Sequence, residues 1–306
     1  AFPIHIGDEV ANAQTALWRR PAREVKDDEY NAFYKQLTYD FNDPRLHLHL
    51  AADAPVQFYG LLYVPTKLDR SLLSPDYEGG VRLYARKVLI QEHSRDLLPE
   101  WMRFVQGIVD SEDLPLNISR ETVQNNRIML RLKTTLTGKM LGELEDLAKA
   151  DAARYNAFWT EFGRMLKEGV VTDAGNRERL GKLLRFHSSR QPDEWVSLED
   201  YMGRMVEGQN DIFYLFGEEV KSLLRSPHLD VFKARGIEVL LLTDPIDSFM
   251  INALQAFQEK KLHNGADADL ELPAPTDQSE ADQPEALPTS DLEKLIDTIG
   301  NILGER

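Results

Sequence analysis

Asp113-Leu-Pro-Leu-Asn-Ile-Ser-Arg-Glu-Thr-Val-Gln-Asn-Asn-Arg127 is the stretch on which the reading of this chain turns. Pro115 fixes its own φ and pushes Leu114 toward extended geometry, so the chain enters stretched out. Ser119 fits a helix N-cap, because its hydroxyl can accept from the orphan amides of the first turn. Glu121 stands where the positive end of the helix dipole favours a carboxylate. Arg120 is therefore predicted on a stiff, capped corner, with Gln124 one turn later on the same side. Such a corner can present a guanidinium to an anion supplied from elsewhere. It reads equally as a capped helix start with solvated polar residues, since a cap signature says nothing of ligands.

Outward from that corner the chain is α/β. Phe58–Val64 is a short aromatic run ended by Pro65, and Val81–Ile90 reads as a second strand. Tyr30, Phe33, Tyr34 and Leu37 share one face of a helix over 27–40. Beyond the corner, Met129, Leu132, Leu136, Met140, Leu144 and Leu147 step by three or four, with Gly138 a candidate break. Residues 151–168 and 176–186 give two more helices with apolar faces. After a loop at 187–196, helix and strand alternate. Ile237–Leu242 is apolar throughout, as a strand buried on both faces is. Asp244-Pro245 opens a last helix, with Asp as N-cap and Pro at the first helical position. Ile246, Phe249, Ala253 and Phe257 share a face of it, widened by Met250 and Leu254. The predicted fold is a pair of three-layer α/β sandwich units joined by a helical connector. The large unit spans 1–137, the connector 138–186 and the small unit 187–262. Residues 263–288 read as an acidic linker and 289–306 as one amphipathic helix.

The 306 residues are enough for about two domains. Net charge is −15, of which residues 262–293 supply nine acids and no Lys or Arg. No basic face appears, so nucleic acid is not expected as a partner. There is no cysteine, which fits a reducing compartment. No stretch approaches the roughly 18 apolar residues of a membrane span. The start carries neither an initiator Met nor a signal peptide, and the chain reads as a segment cut at both ends. His47 and His49, two apart, would share a strand face, but no third ligand lies near and no metal is expected. Phosphate-binding glycine loops, nucleophile elbows and zinc-protease motifs are absent from the sequence.

Asp110-Ser-Glu-Asp-Leu-Pro-Leu-Asn-Ile-Ser-Arg-Glu121 resembles a signature of the ninety-kilodalton heat-shock protein chaperones. Further matches run in family order. They include Ala16-Leu-Trp-Arg19, Asp40-Phe-Asn-Asp-Pro44, Leu61-Leu-Tyr-Val-Pro65, Leu83-Tyr-Ala-Arg-Lys87, Pro99-Glu-Trp-Met-Arg-Phe104, Lys182-Leu-Leu-Arg-Phe186, Ser197-Leu-Glu-Asp-Tyr201 and Glu238-Val-Leu-Leu-Leu-Thr-Asp244. The likeness covers about 1–262 and is closest to the bacterial type, with some to the mitochondrial one. It implies that 1–262 is the middle domain of an ATP-dependent chaperone and 289–306 the first helix of its dimerisation domain. It implies ATP with Mg on an N-terminal domain outside this chain, with Arg120 reaching the γ-phosphate and Gln124 beside it, so that the segment alone is inactive as an ATPase. Partners would be unfolded or partly folded client proteins and the protein's own other domains, in a full-length homodimer with this segment a monomer. Client contact is attributed in bacterial relatives to the positions of Ser248, Phe249 and Asn252; Ser248 departs from their acidic residue. Met250 and Trp18 complete the expected client-binding set. The expected compartment is the cytoplasm, alternatively the mitochondrial matrix. Two other classes stay open: a self-contained α/β hydrolase or transferase with an unrecognised site, and a passive protein-interaction module.

Overall fold

The computed structural model describes residues 5–7, 9–10, 15–69, 72, 80–115, 127–267, 270 and 272–273. A two-stranded ribbon, β1 (His5–Ile6) with β2 (Glu9–Val10), precedes the first unit. That unit is a five-stranded sheet of β3 (Leu46–Ala52), β4 (Phe58–Val64), β5 (Val81–Ala85), β6 (Val88–Ser94) and β7 (Gln106–Ser111), ordered β3-β4-β7-β5-β6. Only β5 and β7 pair in parallel. The run Phe58–Val64 contains no charged residue because β4 is covered on both faces. Leu61 and Tyr63 pack with Tyr30 and Tyr34 of α1 (Asp27–Thr38), while Phe58, Leu62 and Val64 enter the larger core opposite. Alternation along a strand sorts the residues to the two layers.

The expected single strand over Val81–Ile90 is instead a hairpin. It reverses at Arg86 and Lys87, with φ of 49° and 69°. Two successive left-handed residues are what a tight hairpin turn requires, and Asn-Gly is the usual signal. Here tertiary bonds support an unsuitable pair: Arg86 N donates to Ser111 O (3.1 Å) and Lys87 N to Asp110 Oδ1 (3.1 Å). The stretch 99–111 divides into a 3-10 turn, Glu100–Met102, and the interior strand β7. Gly107 in β7 has φ +144°, and a Cβ there would lie 2.2 Å from Leu61 O.

The helical layer holds α2 (Arg127–Ala150), α3 (Ala152–Thr172) and α4 (Arg177–Leu183). Gly138 does not break α2, which runs through it; its carbonyl accepts from Arg179, whose guanidinium also binds Glu145 (2.8 Å). Asp151 alone joins α2 to α3 and caps the latter by accepting from Arg154 N (2.9 Å).

The second unit is a five-stranded sheet of β8 (His187–Ser188), β9 (Ile212–Phe216), β10 (Leu240–Leu242), β11 (Ala256–Phe257) and β12 (Lys260–Asn264), ordered β11-β12-β9-β10-β8. Strands β12, β9 and β10 are parallel, and all three residues of β10 are buried. Four helices belong to it: α5 (Leu198–Gly203), α6 (Val220–Leu223), α7 (His228–Lys233) and α8 (Asp247–Leu254). Tyr214, Leu240 and Leu242 face the core shared with α3 and α4, while Phe213, Leu215 and Leu241 face Leu229 and Phe232 of α7. Both units thus have three layers.

Two boundaries move. Helix α8 stops at Leu254, where Gln255 takes φ 55°, so Phe257 lies in β11 and in the core, not on a helical stripe. The stretch read as a linker from 263 begins inside the fold. His263 and Asn264 end β12, and Leu270 and Leu272 pack against the second core. Apolar residues at those points give an otherwise acidic stretch something to bury. Residues 274–306, with the predicted terminal helix, lie outside the described residues.

Candidate functional site

Ser119, Arg120 and Gln124 lie outside the described residues; the preceding stretch Asp110–Pro115 lies inside them. Asp110, at the end of β7, has no exposed surface. Its Oδ2 accepts from Arg19 Nε (2.6 Å) and Trp18 Nε1 (3.1 Å), its Oδ1 from Lys87 N (3.1 Å). Burial pushes the Asp110 carboxyl up, but these donors outweigh it and hold the pKa below the usual carboxylate range. Arg19 also binds Glu112 and lies 4.8 Å from the ring of Tyr59. One residue further, Asp113 Oδ2 accepts from Gln57 N (2.7 Å), and Glu112 N donates to Gln57 O (3.0 Å). The acids of Asp110–Asp113 are therefore tied down, and Leu114 is fully buried.

Trp18 belongs to this arrangement. It is half-buried, its indole rests on Phe33 and Tyr84 (5.8 and 5.4 Å between centroids), and its N–H is committed to Asp110. The structure does not bring it to the other expected client residues, which are on α8.

On α8 the expected set divides. Phe249 is 65% exposed and Asn252 is exposed, whereas Met250 is fully buried, packed with Ile251 and Leu254 in the main core. Helical geometry forces this: Met250 lies about 100° round from Phe249, on the inward side. Met250 is thus a core residue and is removed from the surface set. The entry to α8 is fixed by a buried ion pair that the sequence did not signal. Lys167 of α3, 8% exposed, places Nζ 2.7 Å from Asp247 Oδ1 and 3.7 Å from Asp244 Oδ2. Burial raises the pKa of Asp247, although Lys167 pulls it down. Asp244 N donates to Asp247 Oδ2 (3.0 Å) and Ile246 N to Asp244 Oδ1 (3.3 Å), so both acids accept from backbone amides of this turn. Asp244 is therefore not the N-cap expected, nor Pro245 the first helical residue: α8 begins at Asp247 with Ile246 at the N-cap position, and Asp244 supports the turn before it.

A surface depression runs past this turn. One part, about 330 Å³, is lined by Val171, Pro245, Ile246 and Phe249 with Arg164 and Glu168. Another, about 540 Å³, shares Pro245 and continues to Phe216, Glu218 and Asp244.

His47 and His49 do share a face of β3. The rings meet Tyr30: His47 stacks on it at 4.0 Å, and Tyr30 Oη is 2.7 Å from His49 Nδ1. The second nitrogen of His49 is 3.2 Å from Trp18 O. Burial holds both histidines below their ordinary pKa. Among the described residues no group of three or more His, Asp or Glu side chains is placed to hold a metal ion.

The sequence pattern of the Hsp90 protein family matches residues 4–306. Chaperone protein HtpG of Nitrosococcus oceani is 40% identical over 300 residues, covering 97% of this chain and 47% of that protein. Chaperone protein HtpG of Chlorobaculum tepidum is 43% identical over 275 residues, 89% of this chain and 44% of that protein. The chain spans about half the length of these curated relatives. Among solved structures, the middle domain of a heat shock protein of Plasmodium falciparum superposes with a TM-score of 0.74 at 27% identity, over 83% of this chain and all of that one.

Proposed function

This chain belongs to the Hsp90 family, and we propose that it is the middle segment of an ATP-dependent chaperone that assists protein folding. The observation that carries the reading is the exposure of Phe249 on a helix whose other large apolar residues are buried. A ring left 65% in water at a position held by a buried ion pair, and beside an apolar depression, offers surface that a bound partner would remove from water. Unfolded or partly folded polypeptide is the cover proposed, with Asn252 as its polar contact.

ATP and Mg would be bound by an N-terminal domain that this chain does not include. The role given to this chain is to supply Arg120, with Gln124 beside it. A guanidinium brought in from another domain can stabilise charge developing on the γ-phosphate and couple nucleotide state to domain docking. The hydrogen-bonded base at Asp110–Asp113 supports this, since a charge delivered to a small target needs a stiff support. The homodimer of the complete protein and a bacterial cytoplasm complete the proposal; no relative reported above is mitochondrial, and the matrix alternative is dropped.

One experiment on the complete protein tests both halves. Phe249→Ala should weaken binding of an unfolded client at an unchanged unfolding midpoint; a stability loss of about 3 kcal/mol or more would mark Phe249 as core instead. Arg120→Ala should leave the fold intact and lower ATP turnover by a factor on the order of 10³, less if domain closure limits the cycle. Turnover within about twofold of wild type would remove Arg120 from the reaction.

A further inference from the structure

We propose that the crevice beside Phe249, between the ends of β9 and β10, receives a basic side chain, preferably arginine, from the bound polypeptide. The proposal rests on the client reading above and adds to it a chemical preference.

Topology makes the crevice. Strands β9 and β10 are parallel neighbours, but the chain leaves them toward opposite faces of the sheet. After β9 it passes to α6 and α7, over the second core; after β10 it passes to α8, over the main core. Diverging loops at the carboxyl ends of adjacent parallel strands leave an opening, which is where open α/β sheets take ligands. Here it measures about 540 Å³ and is lined by Phe216, Glu218, Asp244, Pro245 and Ser248, among others.

The electrostatics select the occupant. The amides of Asp244 and Ile246 at the mouth already donate to carboxylates, so they are not free for an anion. Lys167 is one positive charge against two carboxylates, Asp247 and Asp244, which leaves one negative charge uncompensated. Glu218 is exposed and adds another; no ion pair to it is found among the described residues. Phe216, 42% exposed and braced edge-on by Tyr214 at 5.1 Å, offers a ring face beside these acids. A guanidinium suits that combination, stacking on the ring while its N–H groups meet the carboxylates. Pro245 lines both this crevice and the one containing Phe249, so one extended segment with a basic residue near an apolar one can fill both.

Two fluorescein-labelled peptides test this with the chain as it stands. Both carry the same Leu, Ser and Phe residues; one has a central arginine and the other citrulline, its neutral isostere. By anisotropy at low salt the arginine peptide should bind about fivefold more tightly, the contribution of one partly exposed ion pair. Glu218→Gln should shrink that difference, and Glu218→Gln with Asp244→Asn should erase it, with citrulline-peptide affinity unchanged, while Phe249→Ala should weaken both peptides alike. Equal affinities in the wild-type chain, or a preference that survives both Glu218→Gln and Asp244→Asn, would overturn the crevice and leave the Phe249 reading standing. No binding of either peptide would overturn both. Self-association of the wild-type chain that Glu218→Lys abolishes would assign the crevice to a second copy and overturn the proposal.

Discussion

Asp110 shows what a single residue contributes. A carboxylate with no exposed surface would be costly alone, yet three donors from two parts of the chain, the turn at Trp18 and Arg19 and the hairpin at Lys87, converge on it. Its folded pKa lies below the ordinary value: burial acts to raise it, and the Arg19, Lys87 and Trp18 hydrogen bonds outweigh that. The ionised form is therefore the one that folding favours. Its stabilisation is fully present above the unfolded pKa of about 3.9 and is lost as pH falls through the lower folded value. Asp110→Asn should cost about 3 kcal/mol at pH 7, since Arg19 loses its buried counter-charge. The variant should also lose less stability than wild type on acidification below about pH 4, as read by urea denaturation at a series of pH values. Trp18 carries the same lesson at the level of reading. Its motif was visible in the sequence, but a tryptophan shows nothing of where its N–H will go, and the partner is 92 residues away.

Among elements, α8 is the clearest case of local pattern and tertiary placement separating. The sequence marked the helix and its apolar content, legible because periodicity is local, but put its start at Asp244-Pro245 where the structure starts it at Asp247. Which side faces water was not legible, because a broad stripe has no outward residue until a neighbour is placed. Helix α3 decides that, through Lys167. Lys167→Met should cost about 3–5 kcal/mol, because Asp247, 1% exposed, is then left as an unpaired buried charge. Asp247 is already held above its ordinary pKa by burial, so the loss should shrink as pH falls and the carboxyl takes a proton. The double variant with Asp247→Leu should recover most of the stability, measured by chemical denaturation; a double variant as unstable as the single one would show that the pair acts by shape and not by charge. The hairpin at Arg86 and Lys87 was missed for a related reason. Its left-handed turn is stabilised by β7, not by residues suited to it.

At the scale of the molecule, the two sheets are not independent bodies. One apolar core runs from Phe58 and Leu62 through Phe158, Phe162 and Leu184 to Leu240 and Leu242, with α3 and α4 between the sheets. Contact energy of that extent couples the units, so thermal unfolding should be one transition, with calorimetric and van't Hoff enthalpies in agreement. Tryptophan replacements leaving only Trp18 or only Trp195 should report the same midpoint from the two sides; midpoints several degrees apart would show the sheets unfolding separately.

By itself the sequence determined the α/β class, most helices, the buried strand Phe58–Val64, the apolar run Ile237–Leu242 of which only Leu240–Leu242 is strand, and a long gapless signature at Asp110–Glu121. Each of these is written in neighbouring residues: a period, a cap, an unbroken apolar run. It did not determine the boundary after Asn264, the hairpin, the burial of Met250 or the ion pair of Lys167 with Asp247. Those depend on which residues distant in the chain come within a few ångströms, and a lysine or a methionine looks the same in sequence whether its neighbour is water, a carboxylate or a packed helix. Packing decided that Phe249 faces water and Met250 does not, because only one side of α8 can lie against α3.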